Sequence, residues 1–283
     1  MEPLVPAAWL AAHLDDPDLR VLECTVHLRR DPDGVGYRAE SGAADWAAGH
    51  IPRSSHADLV DDLSDPTSPL GFTLPTAERF AAAMERLGVG DGTRVICYDR
   101  RFSMWATRVW WMLRAFGFDD AAVLDGGWTA WTAGGHPVSS EPPAPRPATF
   151  TPRPRPGLFV TKAEVAASLD DGSTCLVNAL SAAQHLVEDL TYGRPGHLPG
   201  ARNVYAVDLL DPTTHTFLPL EELRARFDDA GVGGERVITY CGGGIAATSD
   251  AFALHLLGHD DIAVYDGSLS EWGADPDAPM VVD

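Results

Sequence analysis

The chain has 283 residues, which allows two domains, each large enough to bury a core of its own. Its formal net charge is −20 at pH 7, and this excess of acidic residues argues against binding to a nucleic-acid backbone, which needs clustered lysine and arginine. No apolar run approaches the length of a membrane span, and the acidic N-terminal segment lacks the basic start of a secretory signal, so we expect a cytoplasmic protein without membrane contact.

Three segments of the first half of the chain recur in the second half in the same order. They are GHIPRSSHADL (49–59) and GHLPGARNVYAVDL (196–209), RVICYD (94–99) and RVITYC (236–241), and AVLDGGWTAW (122–131) and AVYDGSLSEW (263–272). The offsets between the copies are nearly equal, which indicates a tandem duplication with small loop insertions. Two copies form two similar domains rather than a solenoid.

A proline-rich segment, SSEPPAPRPATFTPRPRPG, lies between the copies at 139–157. Proline at this density cannot hold a helix or a central strand, and it favours an extended, semi-rigid connector. We therefore predict a first domain over 1–138, a linker over 139–157 and a second domain over 158–283.

The second domain shows a clear alternation of helices and strands. In chain order the pattern predicts a helix in TKAEVAASLD with Thr161 as N-cap, strands in STCLVNAL and GARNVYAVDL, a helix in EELRARFDDAG, a strand in RVITYC, a helix in IAATSDAFALHLLG, a strand in DIAVYDG and a short helical turn in SLSEWGAD. This alternation is typical of an α/β fold, in which helices flank a mainly parallel sheet. Ligands bind such sheets at the C-terminal ends of the strands.

The four cysteines fall into two groups. Cys24, Cys97 and Cys175 lie in apolar, strand-like runs, so we expect them to be packed as small hydrophobic residues. No CxxC pair is present, and we therefore predict no zinc site. Cys241 differs because it ends a predicted strand and is followed by three glycines and a predicted helix.

The glycines after Cys241 suggest that backbone N–H groups approach the cysteine sulfur closely. Successive N–H groups in such a turn form an anion-binding nest, and the following helix adds the positive end of its dipole. We expect a thiol in this nest to ionise more readily than free cysteine, and the same donors to stabilise a persulfide. The alternative is a glycine-rich turn in which the cysteine is simply packed.

The first copy of this segment has lost the chemistry of the second. Asp99 stands where the second copy has Cys241, and the bulky sequence RRFSMW follows it in place of the glycines. This asymmetry favours a catalytic second domain and a supporting first domain. A phosphatase of the Cys-x5-Arg type is rejected, because Ala247 occupies the position of the phosphate-binding arginine.

Over nearly its full length the chain resembles the two-domain rhodanese family, the thiosulfate/3-mercaptopyruvate sulfurtransferases. The resemblance lies in both GH[IL]P segments, TRVWWMLRAFGF (107–118), VLDGGWTAW (123–131) and the six-residue loop formed by Cys241, Gly242, Gly243, Gly244, Ile245 and Ala246. It implies two tandem rhodanese-like domains and a ping-pong reaction: Cys241 takes a sulfane sulfur from a small donor and passes it to cyanide or a thiol. It implies no metal and no organic cofactor.

The loop departs from both family patterns. It lacks the cation of Cys-Arg-x-Gly-Val-Thr, which suits thiosulfate, and the hydroxyls of Cys-Gly-Ser-Gly-Val-Thr, which is typical of mercaptopyruvate enzymes. The stretch VNALSAAQHLVED also lacks the arginines that hold a donor carboxylate in the family. A loop without a cation should bind the thiosulfate dianion less well than a cationic loop does. This favours mercaptopyruvate or another thiol donor, with thiosulfate left open. The missing residues leave a second hypothesis, a persulfide carrier or redox-sensing protein with little turnover.

Other residues could replace the missing arginines. Arg194, in the loop before the second GHLP segment, is the first candidate for binding the donor, and His197, Arg53 and Arg101 are weaker candidates. His50 and His197 belong to the repeated GH[IL]P element, so we favour a structural role in a turn for both. Finally, we expect three tryptophans to pack in the core or at the domain interface; these are Trp105, Trp110 and Trp111.

Overall fold

The computed structural model describes residues 1–31, 36–144, 146–186, 191–234 and 236–282. The chain forms two α/β domains, each built on a five-stranded parallel sheet with helices on its faces. The fold class predicted from the sequence is confirmed. No helix within these ranges is long and apolar enough to cross a membrane.

The first domain contains seven strands and five helices in its described part. In chain order they are β1 (Leu4–Val5), α1 (Ala7–His13), β2 (Leu19–Glu23), β3 (Val26–Arg30), β4 (Tyr37–Ser41), α2 (Ala43–Ala48), β5 (Ser54–His56), α3 (Ala77–Arg86), β6 (Arg94–Tyr98), α4 (Met104–Ala115), β7 (Ala121–Leu124) and α5 (Gly127–Ala133). Five of the strands form the sheet, in the order β1-β7-β6-β2-β5.

The second domain repeats this arrangement. Its elements are β8 (Phe159–Val160), α6 (Lys162–Asp171), β9 (Thr174–Asn178), α7 (Ala182–His185), β10 (Arg202–Asn203), a 3-10 helix (Ala206–Leu209), α8 (Leu220–Asp229), β11 (Arg236–Tyr240), α9 (Ala246–Leu256), β12 (Ile262–Tyr265) and α10 (Ser268–Trp272). The sheet order is β10-β9-β11-β12-β8, which matches the first sheet strand for strand. The two sheets confirm the duplication found in the sequence.

The central strand β11 is buried from Val237 to Tyr240 because helices cover both faces of its sheet. It pairs in parallel with β9 and β12, so the C-terminal ends of the three strands lie on the same side of the sheet. The capping box predicted at Thr161 is present: its side chain accepts the Glu164 N–H, while the Glu164 carboxylate accepts the Thr161 N–H.

The strand predicted in GARNVYAVDL is wrong in its extent. Only Arg202 and Asn203 pair with β9, and a 3-10 helix begins at Ala206. The Asn203 side-chain amide donates to the backbone carbonyls of Asn178 and Leu180 at 2.9 and 2.7 Å, beside the backbone bond from the Val204 N–H to the Asn178 carbonyl. The chain therefore leaves the sheet edge after two residues and turns towards the domain interface.

The β3–β4 hairpin was not predicted, and the described residues of the second domain contain no matching pair of strands. It leaves the first sheet and reaches the second domain, where the Gly36 N–H donates to the Thr191 carbonyl at 2.7 Å. The ring of Tyr37 lies 6.5 Å from the ring of Tyr192 across the same boundary. The hairpin therefore forms one wall of the space between the domains.

The linker packs against the first domain rather than hanging free. The Asp91 N–H donates to Thr149 and the Arg153 N–H donates to Phe116, both to backbone carbonyls. Phe150 is buried and contacts the rings of Phe80 and Phe118. The described residues between Ser140 and Gly157 form no helix or strand, as the proline content predicts.

Helices α4 and α9 form the centre of the domain interface. The Thr107 hydroxyl lies 2.9 Å from the Thr248 hydroxyl and 3.2 Å from that of Ser249. Trp110 packs edge-on against Phe252, and the Trp111 indole N–H donates to the Leu158 carbonyl in the second domain. Trp105 is also buried. The packing role predicted for the three tryptophans is confirmed.

The repeated GH[IL]P element closes each domain in the same way. His50 exchanges two backbone hydrogen bonds with Ser139, and His197 exchanges two with Val281. Both imidazoles are buried and donate from Nδ1 to a backbone carbonyl, His50 to Trp46 and His197 to His185. These contacts support the structural role predicted for the two histidines.

Asp250, on the interface helix α9, is fully buried, and neither of its carboxyl oxygens has a hydrogen-bond partner within the described ranges. Burial raises the pKa of this carboxyl well above its ordinary value. The folded protein therefore holds a proton on Asp250 at a pH where the unfolded chain has released it. It follows that this residue reduces stability increasingly as pH rises above the pKa of the unfolded chain.

We predict that Asp250→Asn becomes more stable relative to the wild type as pH rises. The difference in the free energy of unfolding should grow by up to about 1.4 kcal/mol per pH unit between the unfolded and the folded pKa of the carboxyl. Urea unfolding from pH 5 to pH 8 measures it. The exposed Asp229 provides a control, Asp229→Asn, whose difference from the wild type should change little, and a parallel response of both variants would contradict the prediction.

Candidate active site

Cys241 lies directly after β11 and before α9, at the C-terminal ends of the parallel strands. The loop of residues 241–246 forms the floor of a cleft of about 390 Å³ between the two domains. The first domain contributes Leu28 and Phe72 to the opposite wall, and Tyr205 stands at the side. The Cys241 side chain is only 2% exposed, so a reagent must enter the cleft to reach its sulfur.

The backbone N–H groups of the cysteine loop differ in whether they have an acceptor. The N–H groups of Gly243 and Ile245 donate to no acceptor within the described part of the chain. Those of Cys241 and Gly244 donate to the Ser268 hydroxyl, each at 3.1 Å. The loop therefore keeps part of its donor set available to a bound anion.

Ser268 supports the loop from the start of α10. Its φ of 47° lies in the left-handed region, which few residues other than glycine adopt, and its side chain is fully buried. This conformation brings the hydroxyl beneath the loop, where it accepts two N–H groups and donates to the Tyr265 carbonyl at 2.7 Å. The first domain has Gly127 at the matching position, with a φ of 48°.

The first domain shows what the same turn does when it holds an anion. The Asp99 carboxylate, at the position of Cys241, accepts the N–H groups of Arg101, Ser103, Trp105 and Ala106 at 2.9–3.1 Å. Burial raises the pKa of Asp99, while the four N–H groups favour its ionised form. The duplicated turn is therefore an anion-binding element, and its first copy is filled by its own side chain.

Arg108 connects the first domain to the cysteine loop. Its guanidinium is fully buried and donates to the Gly244 carbonyl at 3.1 Å and to the Phe72 carbonyl at 2.5 Å. It also forms an ion pair with Asp266 at 2.7 Å, which neutralises its charge. The sequence analysis did not identify Arg108, although a basic residue within the apolar helix segment TRVWWML was the available signal.

Two further contacts fix the loop at Gly242. The Ser270 N–H and hydroxyl both donate to the Gly242 carbonyl, at 2.8 and 2.7 Å. On the other side, a Cβ added to Gly242 would lie 1.9 Å from the Tyr192 hydroxyl oxygen. Tyr192 therefore occupies the space into which a side chain at the second loop position would project.

The structure does not bring the four predicted donor-binding residues to Cys241; none of them lines the cleft. Arg194 donates to the carbonyls of Asp275 and Ala278, while the His197 imidazole is buried. Arg53 pairs with Asp15 at 2.7 Å on the surface of the first domain. These positions correct the expectation that Arg194, His197 and Arg53 bind the donor, because backbone carbonyls or a carboxylate already engage them.

Arg101, the fourth candidate, stands beside the cleft. Its guanidinium lies over the ring of Phe102, 5.0 Å from the ring centre, and its side chain is exposed to solvent. Phe102 itself lines the cleft, so the aromatic ring separates this charge from the interior. The position of Arg101 does not support direct contact with a donor bound at Cys241.

The other cysteines are remote from this chemistry. Cys97 in β6 and Cys24, directly after β2, are buried as expected, whereas Cys175 in β9 is only partly buried. Burial raises the pKa of the Cys24 thiol well above its ordinary value. Among the cysteines, Cys241 alone lies in the lining of the cleft described above.

We predict that Gly244→Ala is far more destabilising than Gly243→Ala. Gly244 has a φ of 72°, and a Cβ there would lie 2.6 Å from the Asp266 carbonyl oxygen; at Gly243 the nearest atom is 3.9 Å away. The first substitution should cost more than about 1 kcal/mol, since both the conformation and the space exclude a side chain. Thermal unfolding of the two variants tests this, and equal midpoints would show that the loop is not constrained as described.

We predict that removing the Arg108 guanidinium uncouples the loop from the first domain. Arg108→Met removes the ion pair and leaves the 15% exposed Asp266 with the Leu74 N–H as a remaining partner, so it should cost about 1–3 kcal/mol of stability. Arg114→Met, on the same helix but 24% exposed, is the matched control and should cost much less. Urea unfolding of both variants provides the measurement, and similar losses for the two would contradict the anchoring role.

Comparison with known proteins places these features in a family. A model described as the rhodanese-like domain matches residues 6–134 and again residues 161–275. A thiosulfate/3-mercaptopyruvate sulfurtransferase of Arabidopsis thaliana, named as mitochondrial, is 33% identical over 99% of this chain and 78% of its own length. The 3-mercaptopyruvate sulfurtransferase of Escherichia coli is 32% identical, over 98% of this chain and 96% of its own.

Two more relatives extend the picture. The thiosulfate sulfurtransferase of Mus musculus is 35% identical over 95% of this chain and 91% of its own length. The crystal structure of SseA from Escherichia coli, described as a 3-mercaptopyruvate sulfotransferase, superposes with a TM-score of 0.84 at 30% identity. That match covers 95% of this chain and 99% of SseA. The chain therefore belongs to the rhodanese family of two-domain sulfurtransferases.

Proposed function

We propose that Cys241 carries the sulfur in this sulfurtransferase. The observation that supports this most directly is the pair of unengaged N–H groups, Gly243 and Ile245, in a turn whose first copy binds the Asp99 carboxylate. The Cys241 thiolate attacks the sulfane sulfur of a donor, a new S–S bond forms, and the donor's bond to that sulfur breaks with its electron pair on the leaving group. The outer sulfur of the resulting persulfide then lies within reach of the nest.

The second half of the reaction restores the enzyme. A thiophilic acceptor, cyanide or a thiol, attacks the outer sulfur of the persulfide, and the Cys241 thiolate leaves. The N–H groups stabilise negative charge on the sulfur at both stages, because they are fixed before the reaction begins. The proposal requires only groups of the polypeptide and the two small substrates.

The first domain has a supporting role in this proposal. Its own turn is occupied by Asp99, so it offers no reactive sulfur at the matching position. It contributes the wall of the cleft around Phe72 and the guanidinium of Arg108, which holds the Gly244 carbonyl. Domain separation would therefore be expected to disturb the cysteine loop as well as open the cleft.

The relatives are named for two donors, thiosulfate and 3-mercaptopyruvate. Either could deliver a sulfur to Cys241 in the proposed reaction. The loop supplies no cation for thiosulfate. Its second position is Gly242, and Tyr192 fills the space that a basic side chain there would need. The four predicted basic residues lie outside the lining of the cleft, so none of them pairs there with the carboxylate of mercaptopyruvate.

One observation keeps a persulfide carrier as a second candidate. Cys241 is 2% exposed, and no charged side chain lines the described part of its cleft. Such a site would shield a persulfide from solvent, which suits a carrier as well as a transferase. Steady-state release of thiocyanate separates the two functions. Repeated turnover supports the transferase, whereas a stable persulfide with negligible turnover supports the carrier.

We predict that incubation with thiosulfate or 3-mercaptopyruvate in large excess adds the mass of one sulfur atom to the wild-type protein. Cys241→Ser should not gain this mass, because the attacking sulfur is removed. Cys175→Ser is the control, since Cys175 is partly exposed and lies outside the cleft. Intact-mass spectrometry followed by addition of cyanide reads out both formation and loss of the persulfide. Equal labelling of wild type and Cys241→Ser would refute the role of Cys241.

A further inference from the structure

The cleft above Cys241 has no charged lining. The residues that line it include no Asp, Glu, Lys, Arg or His in the part of the chain that the structure describes. The sequence of 32–35 is PDGV and that of 187–190 is VEDL, so neither segment contains a cation. The whole chain carries a net charge of −20, which further disfavours the approach of anions.

Two arginines of the first domain lie beside the cleft but are absent from its lining. Arg108 lies behind the loop and is paired with Asp266, while Arg101 lies outside the ring of Phe102. A donor with a charge remote from its sulfane sulfur would lose water in the cleft without gaining a charged partner from the described lining. The N–H groups of the cysteine loop can stabilise negative charge at the reacting sulfur.

The shape and chemistry of the walls favour an apolar substrate. Aromatic and aliphatic side chains face the space above the loop; the main ones are Leu70, Phe72, Phe102, Leu180, Tyr205 and Val207. At about 390 Å³ the cleft falls in the size range of organic ligand sites, well beyond what a five-atom inorganic anion fills. Burial of a ring or alkyl group against these walls would supply binding energy of the usual hydrophobic kind.

We propose that the sulfur donor of this protein is an organic sulfane-sulfur compound whose body is apolar and uncharged, with negative charge only at the reacting group. The proposal rests on the function proposed for Cys241 and specifies its substrate class. For a thiosulfonate donor, RSO₂–S⁻, the Cys241 thiolate attacks the terminal sulfur and forms the persulfide anion Cys–S–S⁻. The S–S bond of the donor breaks, its electron pair leaves with the sulfinate RSO₂⁻, and no proton or redox partner is needed.

Three donors with the same reacting group test the proposal: thiosulfate, methanethiosulfonate and benzenethiosulfonate. Their leaving groups are sulfite, methanesulfinate and benzenesulfinate. The negative charge of the donor is therefore smaller in methanethiosulfonate than in thiosulfate, and the apolar group is larger in benzenethiosulfonate than in methanethiosulfonate. kcat/KM is measured with cyanide as acceptor and divided by the rate of each donor with free cysteine, which removes differences in intrinsic reactivity. We expect benzenethiosulfonate to exceed methanethiosulfonate at least tenfold, and thiosulfate to be the poorest donor.

A pair of variants on α7 tests the charge argument separately. Gln184 lines the cleft, and Gln184→Arg places a cation within it; Ala183→Arg adds the same charge on the exposed side of the helix. We expect Gln184→Arg to raise the ratio of thiosulfate to benzenethiosulfonate kcat/KM at least tenfold, and Ala183→Arg to leave the ratio near that of the wild type. An equal response of both variants would show that the cleft does not set the preference.

The outcomes distinguish the two proposals. If Cys241 gains sulfur from none of the three donors, the function proposed for it fails. If it gains sulfur and thiosulfate is as good as benzenethiosulfonate, the function stands and the proposed donor class is wrong. If benzenethiosulfonate does not exceed methanethiosulfonate, the apolar walls do not select the donor, and the proposal is overturned in that part.

Discussion

The interaction on which the structure depends is the set of backbone N–H groups at the turn between a parallel strand and the next helix. These donors cannot bond within the helix that they begin, so a side chain, water or a bound anion must accept them. In the first domain the Asp99 carboxylate accepts four of them. In the second domain a cysteine occupies the position, and its shorter side chain leaves Gly243 and Ile245 without an acceptor. Duplication thus produced one turn that the Asp99 side chain satisfies and one in which two of the matching N–H groups have no acceptor in the described part of the chain.

The unpaired turn is held in place by contacts from outside it. Ser268 accepts two of its N–H groups, Ser270 donates to the Gly242 carbonyl, and Arg108 reaches from the other domain to the Gly244 carbonyl. Ordering a loop with three glycines costs much conformational entropy, and these contacts offset that cost. Because one of these supports belongs to the first domain, the non-catalytic copy has a reason to remain: it completes the geometry of the catalytic one and covers its cleft.

The sequence predicted the features that depend on local pattern. The duplication, the parallel sheets, the packed tryptophans and the position of Cys241 at a strand end all follow from periodicity, repeats and glycine placement. It did not predict the β3–β4 hairpin, whose exposed and polar residues lack a burial signal, or the early end of β10, which a 3-10 helix follows. The sequence did not predict the partners of the basic residues, because these partners lie far away along the chain. Arg194, for example, donates to the carbonyls of Asp275 and Ala278, about eighty residues away in sequence.

The same distinction explains why the charge of the cleft could be stated only once the structure was known. The sequence showed which cations the loop lacks, yet twenty arginines and one lysine elsewhere could have supplied replacements. The structure engages the candidates with carbonyls, carboxylates or an aromatic ring and fills the space beside Gly242 with Tyr192. No cation lines the described part of the cleft, where backbone dipoles supply positive potential that is short in range. A site of this kind distinguishes substrates by where their charge lies, since charge at the sulfur is stabilised and charge elsewhere on the donor is not.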